Sequence, residues 1–135
     1  MKNMKATINT TTIKHHTSSV LIFTDKAPVK TLLLHHKKHD RWMPPGGHQE
    51  KHDNQIETAI REVKEETGID ITSYFSPIKR IDAQALLLPI PNYLLEEIVK
   101  SRLDEPEHVH LDSIYVVRLP EQSVNNRIEE SNGIQ

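Results

Sequence analysis

The chain has 135 residues, 36% hydrophobic and 27% charged, with a net charge of −2 and no cysteine. The apolar fraction excludes a chain disordered throughout, and the missing cysteines exclude a disulfide framework, a thiolate nucleophile and a cysteine-held zinc. No apolar run approaches the roughly 20 residues that cross a bilayer. The start stays polar through Thr17, unlike a secretory signal, so one cytoplasmic domain over residues 1–135 is expected. The charge is uneven: residues 1–41 hold eight Lys/Arg against Asp25 and Asp40, and the remainder holds nine against seventeen acids. Such a split fits either a surface for anions beside one for cations, or an unevenly charged solvated surface.

Residues 1–16, with Thr10-Thr11-Thr12, read as a terminal extension or an edge strand. Ser19–Thr24 and Lys30–His36, rich in Val, Ile and Leu, read as a strand pair around a turn holding Asp25, Lys26 and Pro28. Arg41-Trp42-Met43 is a third extended piece, kept out of a helix by Pro44 and Pro45, and Gly46-Gly47 gives a backbone that can approach a ligand closely. A helix is predicted from about Gln55 to Thr67, because Ile56, Ala59, Ile60 and Val63 form one apolar stripe. Asn54 and Glu57 have capping-box spacing, and Gly68 suits a left-handed stop. Ile78–Ile90 reads as a strand ending near Pro89 and Pro91, and Tyr93–Leu103 as a short helix. Val109–Leu119 reads as a strand, and Arg127–Gln135 as a last one. Strands around one strong helix indicate an α/β or α+β domain.

Glu62, Glu65 and Glu66 share one face of the predicted helix, away from the apolar stripe. They repel one another and sit in its last turn, at the negative end of the helix dipole. A divalent hard cation would offset this, and Arg61 beside them can fix a carboxylate rotamer. The same spacing fits a solvated Glu-rich face neutralised in part by Lys64 and Arg61.

The wider spacing is more specific. Gly47, Asp53 and Arg61-Glu62-Val63-Lys64-Glu65-Glu66-Thr67-Gly68-Ile69 closely resemble the Nudix box, G-x5-E-x7-R-E-U-x-E-E-x-G-U with U aliphatic. The lead-in Trp42 to Glu50 resembles the family's W-x-x-P-G-G-H-x-E. One position departs, Asp53 standing where the family has Glu. The resemblance implies an α/β/α sandwich with a mixed β-sheet, and hydrolysis of a nucleoside diphosphate linked to another moiety. It implies Mg²⁺ or Mn²⁺ held by Glu62, Glu65 and Glu66, with Glu50 and the carbonyl of Gly47 as further ligands. It also implies Arg61 orienting a glutamate, with Glu62 the first candidate for general base among the catalytic residues Glu62, Glu65 and Arg61. The alternative is a Nudix-fold sensor that binds a nucleotide or sugar phosphate without cleaving it, a reading that only Asp53 favours.

The proline and tyrosine that mark ADP-ribose and diadenosine polyphosphate enzymes are absent at position 84, which is Gln84. The segment Glu105–Asp112 resembles an E-P-x-H-x-H-x-D stretch of some relatives and, as a strand, points His108, His110 and Asp112 to one face. His110 and Trp42 are therefore candidate substrate-binding residues, each with a plain packing or rim alternative. Of the nine histidines, adjacent pairs such as His15-His16 point to opposite strand faces, so a His-rich loop or exposed strand is expected rather than a zinc site. The expected partner is a small nucleotide-type molecule, not nucleic acid or membrane. Lys37 and Arg41 are expected at a phosphate-facing rim. The sequence stops where relatives continue into a closing helix, so a missing C-terminal helix is expected, with a second copy in a homodimer covering the bared sheet face.

Overall fold

The computed structural model describes residues 13–102 and 104–124, and the backbone of 131–134. Its centre is β1 (Lys14–Thr24), an 11-residue strand whose Val20 and Ile22 are buried. β1 runs parallel to β8 (His108–Leu119) through eleven partners, from Lys14 beside Val109 to Thr24 beside Leu119. β4 (Gly46–His48) pairs antiparallel with the other edge of β1, at Thr17 to Ser19, and β7 (Tyr93–Val99) pairs antiparallel with β8. The result is a mixed four-stranded sheet in the order β4-β1-β8-β7. A smaller sheet joins β2 (Leu34–His36) to β3 (Arg41–Met43) and to β9 (Ser131–Ile134).

One face of the large sheet is covered by α1 (Gln55–Thr67), the one α-helix among the described residues. Ile56, Ala59 and Val63 of its stripe are buried, Ile60 is partly so, and they meet Val20, Ile22, Tyr115, Val117 and Leu119. Both ends of the helix are fixed locally. The Asn54 side chain accepts from the Glu57 N–H at 2.9 Å, and the Glu57 carboxylate accepts from the Asn54 N–H at 3.1 Å, closing a capping box. Gly68 ends the helix at φ 82°, its N–H donating to the Lys64 carbonyl.

Two expectations are corrected. Tyr93–Leu103 does not form a helix: Tyr93–Val99 is strand β7, laddered residue by residue onto Ile114 back to His108. Leu-Leu-Glu-Glu favours a helix locally, but pairing with the edge of a long strand overrides that preference. Ile78–Ile90 is not one strand. It is a hairpin of β5 (Lys79–Arg80) and β6 (Leu86–Leu87), broken where the Asp82 carboxylate accepts from the Gln84 N–H at 2.8 Å and turns the chain. Of the expected terminal extension or edge strand, residues 14–16 open strand β1 and ladder onto Val109 to Leu111 of β8, while β4 meets β1 only from Thr17 to Ser19. Residues 1–12 of that expectation, and residues 127–130 and 135 of the last strand, lie outside the described residues.

Replacing Gly68 by Ala forces a Cβ into the left-handed region. Urea unfolding of Gly68→Ala should show a loss of about 1–2 kcal/mol, and an unchanged midpoint would contradict the assigned cap.

Candidate functional site

The capped helix and the glycine strand place the candidate groups together. Glu50, Glu62, Glu65, Glu66, Gly46, Gly47 and Arg61 line one cleft of about 780 Å³. Lys38, His36, His39, His48, Glu105, His108 and His110 line the same cleft. A second, apolar cavity of about 150 Å³ beside Leu119 holds Glu121, already paired with Lys30 at 2.5 Å.

Arg61 organises the acidic wall. Its Nε and Nη2 both lie 2.9 Å from Asp53 Oδ2, its Nη1 lies 3.0 Å from Glu62 Oε1, and its Nη2 donates to the His48 carbonyl at 3.1 Å. Glu65 and Glu50 each stand 3.4 Å from Nη1. Burial works against the guanidinium charge, but the bonds from Asp53 and Glu62 outweigh it and hold its pKa above the usual value. Burial pushes the Glu62 carboxyl upward; Arg61 opposes the shift, whereas Glu65 and Glu50 add to it. Glu66 is buried and accepts from the Gly46 N–H at 2.9 Å.

The two glycines are required by close approach. A Cβ on Gly47 would run into the Glu62 carboxylate, and one on Gly46 would strike the Ser18 carbonyl and Ser19 of β1. The carboxylates and the glycine backbone that share this cleft are hard oxygen donors, the type that divalent cations such as Mg²⁺ take. Glu62, Glu65, Glu66, Glu50 and Gly47 all line this one cleft.

Trp42 is not among the residues lining this cleft. It is half-exposed on β3, 5.1 Å from the ring of its cross-strand neighbour His35. His110 lines the cleft but Asp112 does not: Asp112 is buried and accepts from the Thr17 and Ser19 hydroxyls at 2.9 to 3.1 Å, tying β8 to β1. Lys38, rather than Lys37 or Arg41, supplies a basic group to the cleft wall, bonded to Glu105 at 2.6 Å.

The histidines, expected on a loop or an exposed strand, include one close group drawn from three strands. His15, His48, His108 and His110 place their nearest ring nitrogens all within 4.8 Å of one another. His15 and His16 do point to opposite faces, but the register sets His15 beside His110, with His48 opposite Thr17 on the next strand. Cross-strand register brings the cluster together, and only knowledge of which strands pair would have revealed it. Burial, then the neighbouring imidazoles of His48, His108 and His15, lower the His110 pKa to about 4; burial and His15 lower that of His48.

Two outcomes follow. Gly47→Ala should displace the Glu62 carboxylate and weaken Mg²⁺ binding at least tenfold by calorimetry with little change in helicity, whereas unchanged binding would separate Gly47 from the carboxylates. Between about pH 6.5 and about pH 4 the unfolded chain binds a proton at His110 that the folded chain does not, so stability must fall as pH falls through that window. In chelator-containing buffer, His110→Gln should flatten the dependence of the urea midpoint on pH, and an identical slope would remove His110 as its source.

Residues 14–126 match the family model for the NUDIX domain. The fold aligns with the crystal structure of a NUDIX-family hydrolase from Clostridium perfringens at a TM-score of 0.66 and 28% identity, covering 90% of this chain and 79% of that one. The chain is 42% identical over 52 residues to the asymmetrical bis(5'-nucleosyl)-tetraphosphatase of Mus musculus, covering 34% of this chain and 32% of that protein. It is 47% identical over 45 residues to the mRNA-decapping enzyme subunit 2 of Saccharomyces cerevisiae, covering 33% of this chain and 5% of that protein. The chain therefore spans about a third or less of the length of these two relatives. With the domain matched from β1 to beyond β8 and the box residues gathered around one cleft, this chain belongs to the Nudix family.

Proposed function

We propose that the chain is a divalent-cation-dependent hydrolase that cleaves a pyrophosphate bond in a nucleoside diphosphate derivative of the NTP, nucleotide-sugar or dinucleotide type. The observation that carries this reading is the convergence of Glu50, Glu62, Glu65 and Glu66 with the Gly47 backbone on a cleft also lined by Lys38 and five histidines. Four carboxylates are held there against their mutual repulsion, and all the donors are hard oxygens, which suit Mg²⁺ or Mn²⁺ better than softer ions. The C. perfringens neighbour is a hydrolase, and the mouse relative is a nucleotide phosphatase by name, in line with this chemistry.

Glu62, Glu65 and Glu66 would hold the cation, with Glu50 and the Gly47 carbonyl completing the set. Bound there, such an ion screens phosphate charge and makes water easier to deprotonate near the scissile phosphorus. The protein's own contributions are positional. Arg61 engages Oε1 of Glu62 and fixes the orientation of this carboxylate, the first candidate for general base should the cation rest on Glu65 and Glu66. The Gly46 N–H fixes Glu66, and Lys38 offers positive charge to phosphates in the same cleft. Asp53 keeps two contacts with Arg61, so the one departure from the box leaves the guanidinium anchored.

The test is a panel of ADP-ribose, nucleoside triphosphates, nucleotide sugars and dinucleoside polyphosphates, incubated with Mg²⁺ and followed by phosphate and nucleotide release. Turnover of at least one class is expected. Glu65→Gln and Glu66→Gln should each reduce it on the order of 10²–10⁴-fold while circular dichroism stays unchanged. Tight binding without turnover across the panel, or full activity in both variants, would overturn the reading.

A further inference from the structure

A second cluster of ligand atoms lies beside the carboxylates and differs from them in chemistry. We propose that His15, His48, His108 and His110 form a binding site for one borderline divalent transition-metal ion, zinc foremost, distinct from the hard-cation site on α1. The four residues come from three adjacent strands, β1, β4 and β8, and stand on the sheet face opposite α1. Their ring centroids are close: 4.8 Å for His15 and His108, 4.8 Å for His108 and His110, 4.9 Å for His48 and His110, and 5.5 Å for His15 and His48.

The inner pair is already arranged as two ligands would be. Nε2 of His108 and Nε2 of His110 are 3.0 Å apart. Two imidazoles on one tetrahedral zinc, at about 2.0–2.1 Å each, hold their nitrogens about 3.3 Å apart. Nδ1 of His108 lies 3.0 Å from the Pro106 carbonyl. A carbonyl only accepts, so Nδ1 carries the proton, and Nε2 presents its lone pair to the centre of the cluster. This is the outer hydrogen bond that zinc-ligating histidines generally make to fix their tautomer.

His15 and His48 are exposed, so small ring rotations can bring their nitrogens from the present 4.8 Å limit into bonding range. Four neutral imidazoles suit zinc, nickel or copper and discriminate against Mg²⁺ and Ca²⁺, which take oxygen. Glu105 faces the same cleft and offers charge compensation. Four protein ligands leave no open position, so the ion would be structural. It would clip β4 to β1 and β8 one residue beyond Gly47, the residue that bounds the Glu62 carboxylate.

The test uses the full chain carrying Glu65→Gln, freed of metal by chelator and titrated calorimetrically with Zn²⁺. One equivalent per chain is expected, unaffected by millimolar Mg²⁺, with a rise in melting temperature. Co²⁺ in place of Zn²⁺ should give the intense visible absorption of tetrahedral cobalt. His108→Gln and His110→Gln should each weaken Zn²⁺ binding at least tenfold. So should His15→Gln and His48→Gln, whose exposed positions keep the fold intact should either inner variant fail to fold. His16→Gln, on the opposite face, should bind as the parent does. Absence of saturable Zn²⁺ binding, octahedral cobalt spectra, or binding that survives both exposed-site variants would overturn the proposal. None of these readouts depends on hydrolysis, so the carboxylate reading can stand or fall separately.

Discussion

Five partners converge on one guanidinium by hydrogen bond or close ion pair, and the acidic side of the cleft depends on them. Arg61 touches Asp53, Glu62, Glu65, Glu50 and the His48 carbonyl, so a single cation links the loop before α1, the helix itself and strand β4. Without it, the clustered carboxylates would repel one another beside the helix C-terminus, where the dipole also disfavours them. Its planar fork can serve several oxygens at fixed angles, which an ammonium at the same place would not. The shorter Asp53 side chain still reaches the Nε edge of this fork. Chain length at that position therefore matters less than the presence of a carboxylate.

The guanidinium can play this role only because β4 is held against β1. Gly46 and Gly47 bring the strand so near that Ser18 and Glu62 fill the space where side chains would stand. β1 is in turn held by a full-length parallel ladder to β8 and by the buried Asp112, which accepts from Thr17 and Ser19. A buried carboxylate receiving two hydroxyl donors satisfies charge and registers the strands together. The site is thus supported from behind by a polar anchor, and α1 is pressed onto the opposite face by Val20, Ile22, Tyr115 and Val117.

The parts of this arrangement legible in the sequence were those whose physics is local. Helix α1 carried its own cap, apolar stripe and stop, and its carboxylates fell on one face by period alone. The parts not legible were set by partners far along the chain. Leu94, Leu95, Glu96 and Glu97 favour a helix in isolation and become strand only because β8 offers an unpaired edge. The broken strand at Ile78–Ile90 turned on one Asx hydrogen bond from Asp82, which apolar residues on either side masked. The histidine cluster was hidden for a related reason. Alternation within β1 separates His15 from His16, and nothing in the order of residues says that His110 lies beside His15 or that His48 arrives from the opposite edge.

That register also gives the uneven charge of the chain a structural meaning. The acidic excess beyond residue 41 includes the oxygens of Glu50, Glu62, Glu65 and Glu66 on one wall of the cleft. The basic first segment contributes Lys38 to the same cleft, together with imidazoles from both halves of the chain. Oxygen and nitrogen donors therefore share one space, and the Gly47–His48 dipeptide meets both sets. Consecutive residues of a strand project to opposite faces, so β4 can present bare backbone to a carboxylate at Gly47 and an imidazole to the far side at His48. The alternation of one short strand thus sets a hard oxygen group and a borderline nitrogen group on its two faces.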